Sequence, residues 1–107
     1  MVKVMESLEH ATKRGAKIIA EYLGCAISCD AHHVTDPRSD GSGVAACISK
    51  SLEIAGVSPE EVNYVNAHAT STRLGDLAEA SAIKKVFKNQ RELKMNGTKA
   101  RSQSSSS

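Results

Sequence analysis

With 107 residues the chain is at most one domain with a small core, since a chain of this size buries only about two-thirds of its unfolded surface. Aromatics make up 3% and Trp is absent, so Val, Ile, Leu and Ala must do the packing, which suits layered α/β structure. The net charge of +2 comes from 14 basic and 12 acidic residues without a long like-charge block, which leaves a nucleic-acid interface unsupported.

Cys25, Cys29 and Cys47 are odd in number and spaced for neither a disulfide framework nor a paired zinc site. They read as small buried hydrophobes in a reducing compartment. No apolar run approaches the roughly 18–20 residues of a membrane span, and the N-terminus lacks the charged-then-apolar layout of a signal peptide.

The chain starts on a short apolar run, expected as a strand from Val2 to Met5, and passes into an acidic-to-basic helical pattern over Glu6 to Arg14 that Gly15 stops. A strand placed so early calls for a partner upstream. Lys17 to Cys29 is rich in β-branched and small apolar residues and predicts a strand buried on both faces, with a bulge or bend at Gly24. Asp30 to Gly41 is a loop by composition. Val44, Cys47, Ile48, Leu52 and Ala55 then recur at spacings of three and four, which predicts an amphipathic helix over 43–55 with Gly56 as its stop.

Ser58, Pro59 and Glu61 spell a second helical start, one short turn long. Val62 to Ala67 predicts a strand, and from Asp76 a helix follows whose apolar side is Leu77, Ala80, Ile83, Val86 and Phe87. Leu93 to Lys99 fits a last short strand ending at a Gly turn. Strand, helix, strand, helix, strand in this order argues for an α/β fold, a parallel or mixed sheet covered by helices. From Ser102 onward the chain is Ser and Gln alone, too polar to pack, and is expected to be disordered.

The chemistry concentrates between Val62 and Asp76, where an apolar strand runs through a His and a hydroxyl-rich turn into a helix start. His68 precedes Thr70, Ser71 and Thr72, so its imidazole is placed to donate to a substrate carbonyl while the hydroxyls hold a polar ligand; an oriented structural His is the alternative. Asp76 and Glu79 have the spacing of a capping-box variant, and the same spacing puts both carboxylates on one side of a first helical turn, able to hold a cation such as Lys99. Lys99 alone is an ordinary exposed lysine. Cys29, His32 and His33 lack a second ligand pair at zinc-like spacing, and Asp30, Asp36 and Asp40 do not follow a calcium-loop pattern, so no metal site is expected.

Taken together, Asn66-Ala-His-Ala-Thr-Ser-Thr72, Gly75-Asp-Leu-Ala-Glu79 and Asn96-Gly-Thr-Lys99 resemble the C-terminal catalytic region of the β-ketoacyl-acyl-carrier-protein synthases, the condensing enzymes of the thiolase fold. The resemblance extends upstream through Val4 to Ala11, Arg14 to Tyr22, Cys29 to Pro37 and Ser58 to Tyr64, and covers roughly residues 2–99. Ala69 and the Asn-Gly-Thr-Lys wording make it most similar to the plant plastid type I branch.

This resemblance implies a partial thiolase-like domain over 1–99 and a Ser-rich tail over 100–107. It implies fatty-acid elongation by decarboxylative condensation of an acyl thioester with malonyl-acyl-carrier protein, in the plastid, by a homodimer. No cofactor is implied beyond the phosphopantetheine on which the carrier protein holds the substrate. Carried over residue by residue, His68 polarises the malonyl thioester carbonyl as charge develops, Lys99 is the active-site lysine, and Asp76 with Glu79 are its charge partners. Thr70 and Thr72 bind the pantetheine arm, and Thr35 borders its entrance.

The family's nucleophilic Cys lies upstream of the matched region, Ser104 stands at the position of its second His, and Ala100 stands where Ser normally follows the lysine. The chain therefore reads as a fragment inactive by itself, because covalent catalysis needs its nucleophile. The alternative is a non-catalytic module that binds the pantetheine arm or an intact synthase subunit.

Overall fold

The computed structural model of the chain describes residues 2–29, 40–88 and 93–97. Helix α1 spans Leu8–Lys13, two residues shorter at its start than the acidic-to-basic pattern predicts. Ser7 is its N-cap and accepts from the His10 N–H at 3.2 Å, which leaves Glu6 outside the helix. There the Glu6 carboxylate draws in the Arg14 guanidinium and, at 2.5 Å, His10 Nδ1. The hydrogen bonds from Arg14 and then His10 hold the Glu6 carboxyl below the usual carboxylate range. Gly15, with φ at +66°, ends the element as expected.

Helix α2 spans Ser42–Ala55 and matches the helix predicted by spacing to within one residue. Gly56 adopts φ +67° and donates to the Glu53 carbonyl at 3.1 Å, closing the last turn. A 3₁₀ turn over Pro59–Glu61 follows, in which the Glu61 carboxylate reaches back to accept from the Ser58 N–H at 2.9 Å.

Strand β1, Tyr64–Asn66, leads through a turn into helix α3, Arg73–Val86, and the chain returns as strand β2, Lys94–Asn96. The two strands pair in parallel, with Tyr64 opposite Lys94 and Asn66 opposite Asn96, so α3 is the crossover that parallel pairing requires. Flanking bonds from Lys94 N–H to the Asn63 carbonyl and from Ala67 N–H to the Asn96 carbonyl extend the ladder by a residue at each end.

The core lies on α3, where Ala78, Ala82, Ile83 and Phe87 are buried. Ile83 and Phe87 follow the expected apolar side, but Leu77 is 62% exposed and the buried stripe has turned toward Ala78 and Ala82. The reason is close helix packing. A Cβ on Gly41, at the N-cap of α2, would stand 2.3 Å from the Ala78 carbonyl oxygen, so the two helices meet backbone to backbone over small residues. Lys85 Nζ donates to the Asp40 carbonyl at 2.5 Å beside this contact.

Two expected strands are corrected. Residues 2–5 pair with nothing in a sheet among the described residues, and Val2 and Val4 are exposed. Residues 17–29 also belong to no sheet and lie along α2 in the opposite direction instead. Gly24 faces Ile54 and Ala55, Cys47 Sγ donates to the Ala26 carbonyl at 3.1 Å, and Ser28 Oγ donates to the Gly43 carbonyl at 2.9 Å. Gly24 thus serves a close approach to α2 rather than a bulge. The expected two-sided burial is absent: Ile19 and Ile27 are 95% and 96% exposed. Cys25 and Cys29 are likewise exposed, and Cys47 is half-buried. The expected tail over 100–107 lies outside the described residues.

Candidate active site

The site forms where β1 gives way to α3. Once Ala67 has donated to β2, the chain must turn from the ladder into a helix within five residues, and it does so through two left-handed backbones, Ala69 at φ +33° and Ser71 at φ +68°. Neither residue is Gly, so the conformation needs support from its surroundings. Glu79 supplies it. From the second turn of α3 its carboxylate accepts from the His68 N–H at 2.6 Å and from the Ala69 N–H at 3.0 Å, one oxygen to each donor. Charge-assisted bonds of this kind are the strong ones, and they fix the backbone from which the His68 side chain projects.

Thr72 then acts as the N-cap of α3 through its extended backbone, and its carbonyl accepts from the Asp76 N–H at 2.9 Å. The helix therefore starts three residues earlier than expected, and the capping-box alternative for Asp76 and Glu79 is overturned. Asp76 sits in the first turn, where the N-terminal dipole favours a negative charge. The hydroxyls of Thr70 and Thr72 lie 3.3 Å apart, within hydrogen-bond reach of each other.

These residues border a cavity of about 220 Å³ whose walls include His68, Thr70, Asp76 and Glu79, closed on the far side by Val44 from the first turn of α2. The structure thus brings together four of the expected site residues at the cavity, and a fifth, Thr72, is bonded to Thr70 at its edge. Lys99 and Thr35 lie outside the described residues, so the pairing of Lys99 with Asp76 and Glu79 does too. No group of side chains suited to a metal ion occurs among the described residues.

Sequence reasoning missed Val44 and Gly75 as cavity walls and missed the backbone role of Glu79. For Val44 there was no signal, since it is one apolar position of a helical stripe and faces the cavity only because α2 crosses α3 near its own start. Glu79 could have been suspected, because a turn carrying Ala and Ser where left-handed geometry is required needs a nearby acceptor.

The chain is similar in sequence and in backbone course to known proteins. The model of the β-ketoacyl synthase C-terminal domain matches residues 19–102. Chloroplastic 3-oxoacyl-[acyl-carrier-protein] synthase I of Arabidopsis thaliana is 71% identical over 99 residues, which is 92% of this chain and 21% of that protein. Its counterpart in Hordeum vulgare is 70% identical over the same shares. The chain thus spans about a fifth of the length of these relatives. Among solved structures, a type II polyketide synthase acyl-carrier protein in complex with its ketosynthase matches with a TM-score of 0.83 at 41% identity, over 89% of this chain and 24% of that one. The ishigamide ketosynthase/chain length factor matches with a TM-score of 0.81 at 42% identity, over 89% of this chain and 23% of that one. The α/β fold is accordingly a part of the thiolase-like ketosynthase fold. A sequence match over residues 19–102, with the same backbone course in solved ketosynthases, means that the chain belongs to the β-ketoacyl synthase family, within its C-terminal domain.

Proposed function

We propose that this chain forms the malonyl-binding side of a 3-oxoacyl-acyl-carrier-protein synthase, an acyltransferase that elongates fatty acids by decarboxylative condensation. The observation that carries this reading is the Glu79 carboxylate bound to the His68 and Ala69 N–H groups, which sets His68 on a fixed backbone at the wall of the cavity.

In the reaction the bond between C2 of the malonyl group and its carboxylate breaks, and carbon dioxide leaves. The electron pair passes into the thioester as an enolate, and an N–H of the His68 imidazole donates to the oxygen on which that charge collects. Such a donor, oriented in advance, stabilises the charged species more than the neutral thioester, which is what acceleration requires. The enolate carbon then attacks the acyl thioester, a new carbon–carbon bond forms, and the thiolate departs. By family resemblance that thioester is carried on a Cys in the part of the family that this chain does not span.

The hydroxyls of Thr70 and Thr72 hold the amides of the pantetheine arm, with acyl-carrier protein as partner. Asp76, and Lys99 and Thr35 by resemblance, complete the site. The partner reading is supported by a solved relative that is an acyl-carrier protein in complex with its ketosynthase. The names of the plant relatives support a plastid location, and homodimerisation follows from the resemblance.

The test is a chimera in which residues 1–99 replace the matching stretch of the Arabidopsis thaliana relative. Retained condensation, with loss of malonyl decarboxylation by at least about 100-fold in His68→Ala, is the expected result. A folded chimera in which His68→Ala leaves decarboxylation unchanged would overturn the reading. The 107-residue chain alone is expected to bind malonyl-acyl-carrier protein without turning it over; robust turnover would show that the nucleophile is within it.

A further inference from the structure

Gly75 occupies the third helical position of α3, inside a helix, where nothing in the backbone requires Gly. Its φ is not left-handed, and outside the helix backbone the surroundings are open but for one group. A Cβ placed at this position would stand 2.5 Å from Thr72 Oγ1 and 3.9 Å from Thr72 Cβ, with no other heavy atom within 4 Å apart from the helix backbone and the two neighbouring residues. The space that Gly75 leaves empty is therefore taken by the Thr72 hydroxyl, the same group that lies 3.3 Å from Thr70 Oγ1.

We propose that Gly75 is a positioning residue for the pantetheine-binding hydroxyls: the missing side chain lets Thr72 keep the rotamer that pairs its hydroxyl with that of Thr70. Replacing Gly75 by Ala makes the Thr72 side chain rotate, because a threonine Oγ1 is free to move while the helix backbone is not. Rotation separates the two hydroxyls and breaks their contact. The exchange improves helix propensity, since Gly costs backbone entropy that Ala does not. Stability and ligand binding thus move in opposite directions, which a purely structural glycine would not produce.

The inference rests on the assignment of Thr70 and Thr72 to the pantetheine arm, and the experiment separates the two. In Gly75→Ala, three-bond couplings to the Thr72 methyl are expected to report a changed χ1, with a melting temperature at or above that of the parent chain. Binding of malonyl-acyl-carrier protein weakens about tenfold, the loss of roughly one hydrogen bond. The double variant Gly75→Ala/Thr72→Ala binds no more weakly than Thr72→Ala alone, because both changes remove the same interaction. An unchanged Thr72 rotamer overturns the inference, as does parental affinity in Gly75→Ala when Thr72→Ala binds weakly. If Thr70→Ala/Thr72→Ala binds as the parent does, or the parent does not bind at all, the pantetheine assignment falls and this inference with it.

Discussion

The stretch from β1 to α3 and the more apolar stretch from residue 16 to residue 29 have different fates. The first satisfies itself. Its strand pairs with β2, its turn is tied by Glu79, and its helix buries Ala78, Ala82, Ile83 and Phe87. The second rests on α2 through Gly24, Ala26 and Ser28 and leaves Ile18, Ile19, Tyr22, Leu23 and Ile27 exposed. A site needs fixed atoms, and the first stretch supplies them through the Glu79 bonds, the pairing with β2 and the buried face of α3. The difference predicts that substitutions along the first stretch and its platform are costly and those along the second are not.

The platform is the most sensitive point. In Gly41→Ala the new methyl meets the Ala78 carbonyl at 2.3 Å and the backbone is held at φ +66°, so neither helix can keep its place. A loss of about 2–4 kcal/mol is expected from overpacking and left-handed strain together. That is a large share of the stability of a small domain, and it would show as a lower urea midpoint at unchanged slope. An unchanged midpoint would mean that α2 and α3 slide apart without cost, and the cavity between them would not be a fixed feature.

Glu79 comes next. Glu79→Ala leaves the His68 and Ala69 N–H groups without their acceptor and should cost about 1–2 kcal/mol, with Ala69 the larger share because it is half-buried. Glu79→Gln keeps one acceptor oxygen and should cost about half as much. Amide exchange at residues 68 and 69 checks the assignment: both should exchange faster in Glu79→Ala. If only thermal stability falls while these two amides stay protected, the carboxylate supports the helix rather than the turn.

What was legible in the sequence follows the same division. Helix α2 and the Gly56 stop were readable because spacing of three and four is a local property. The His68, Thr70, Asp76 and Glu79 group was readable because all four come from one turn and the helix after it, so order in sequence is nearly order in space. The sheet was overestimated because β-branched runs report that a stretch suits pairing without supplying a neighbour. Among the described residues β1 and β2 pair with each other, and residues 17–29 take contacts with α2 instead. The start of α3 was misplaced because Asp76 and Glu79 imitate a capping box, while the real cap, Thr72, makes no side-chain cap bond that the pattern could reveal. Gly41 and Gly75 were read past since the atoms they make room for, at Ala78 and Thr72, can be located only in three dimensions.

The smallest effects belong to the exposed stretch, and they sharpen the comparison most. Ile19→Thr and Ile27→Thr change side chains that are 95% and 96% exposed, so each should shift stability by less than about 0.5 kcal/mol. Ile83→Ala, at a site only 7% exposed, should cost about 2–4 kcal/mol. The two threonine variants should also lower the aggregated fraction seen in size-exclusion chromatography, because contiguous exposed apolar groups favour association. If instead Ile27→Thr destabilises by more than about 1 kcal/mol, Ile27 is covered in solution by something absent from the single chain. A melting temperature that rises with protein concentration would then identify that cover as a second copy of this chain.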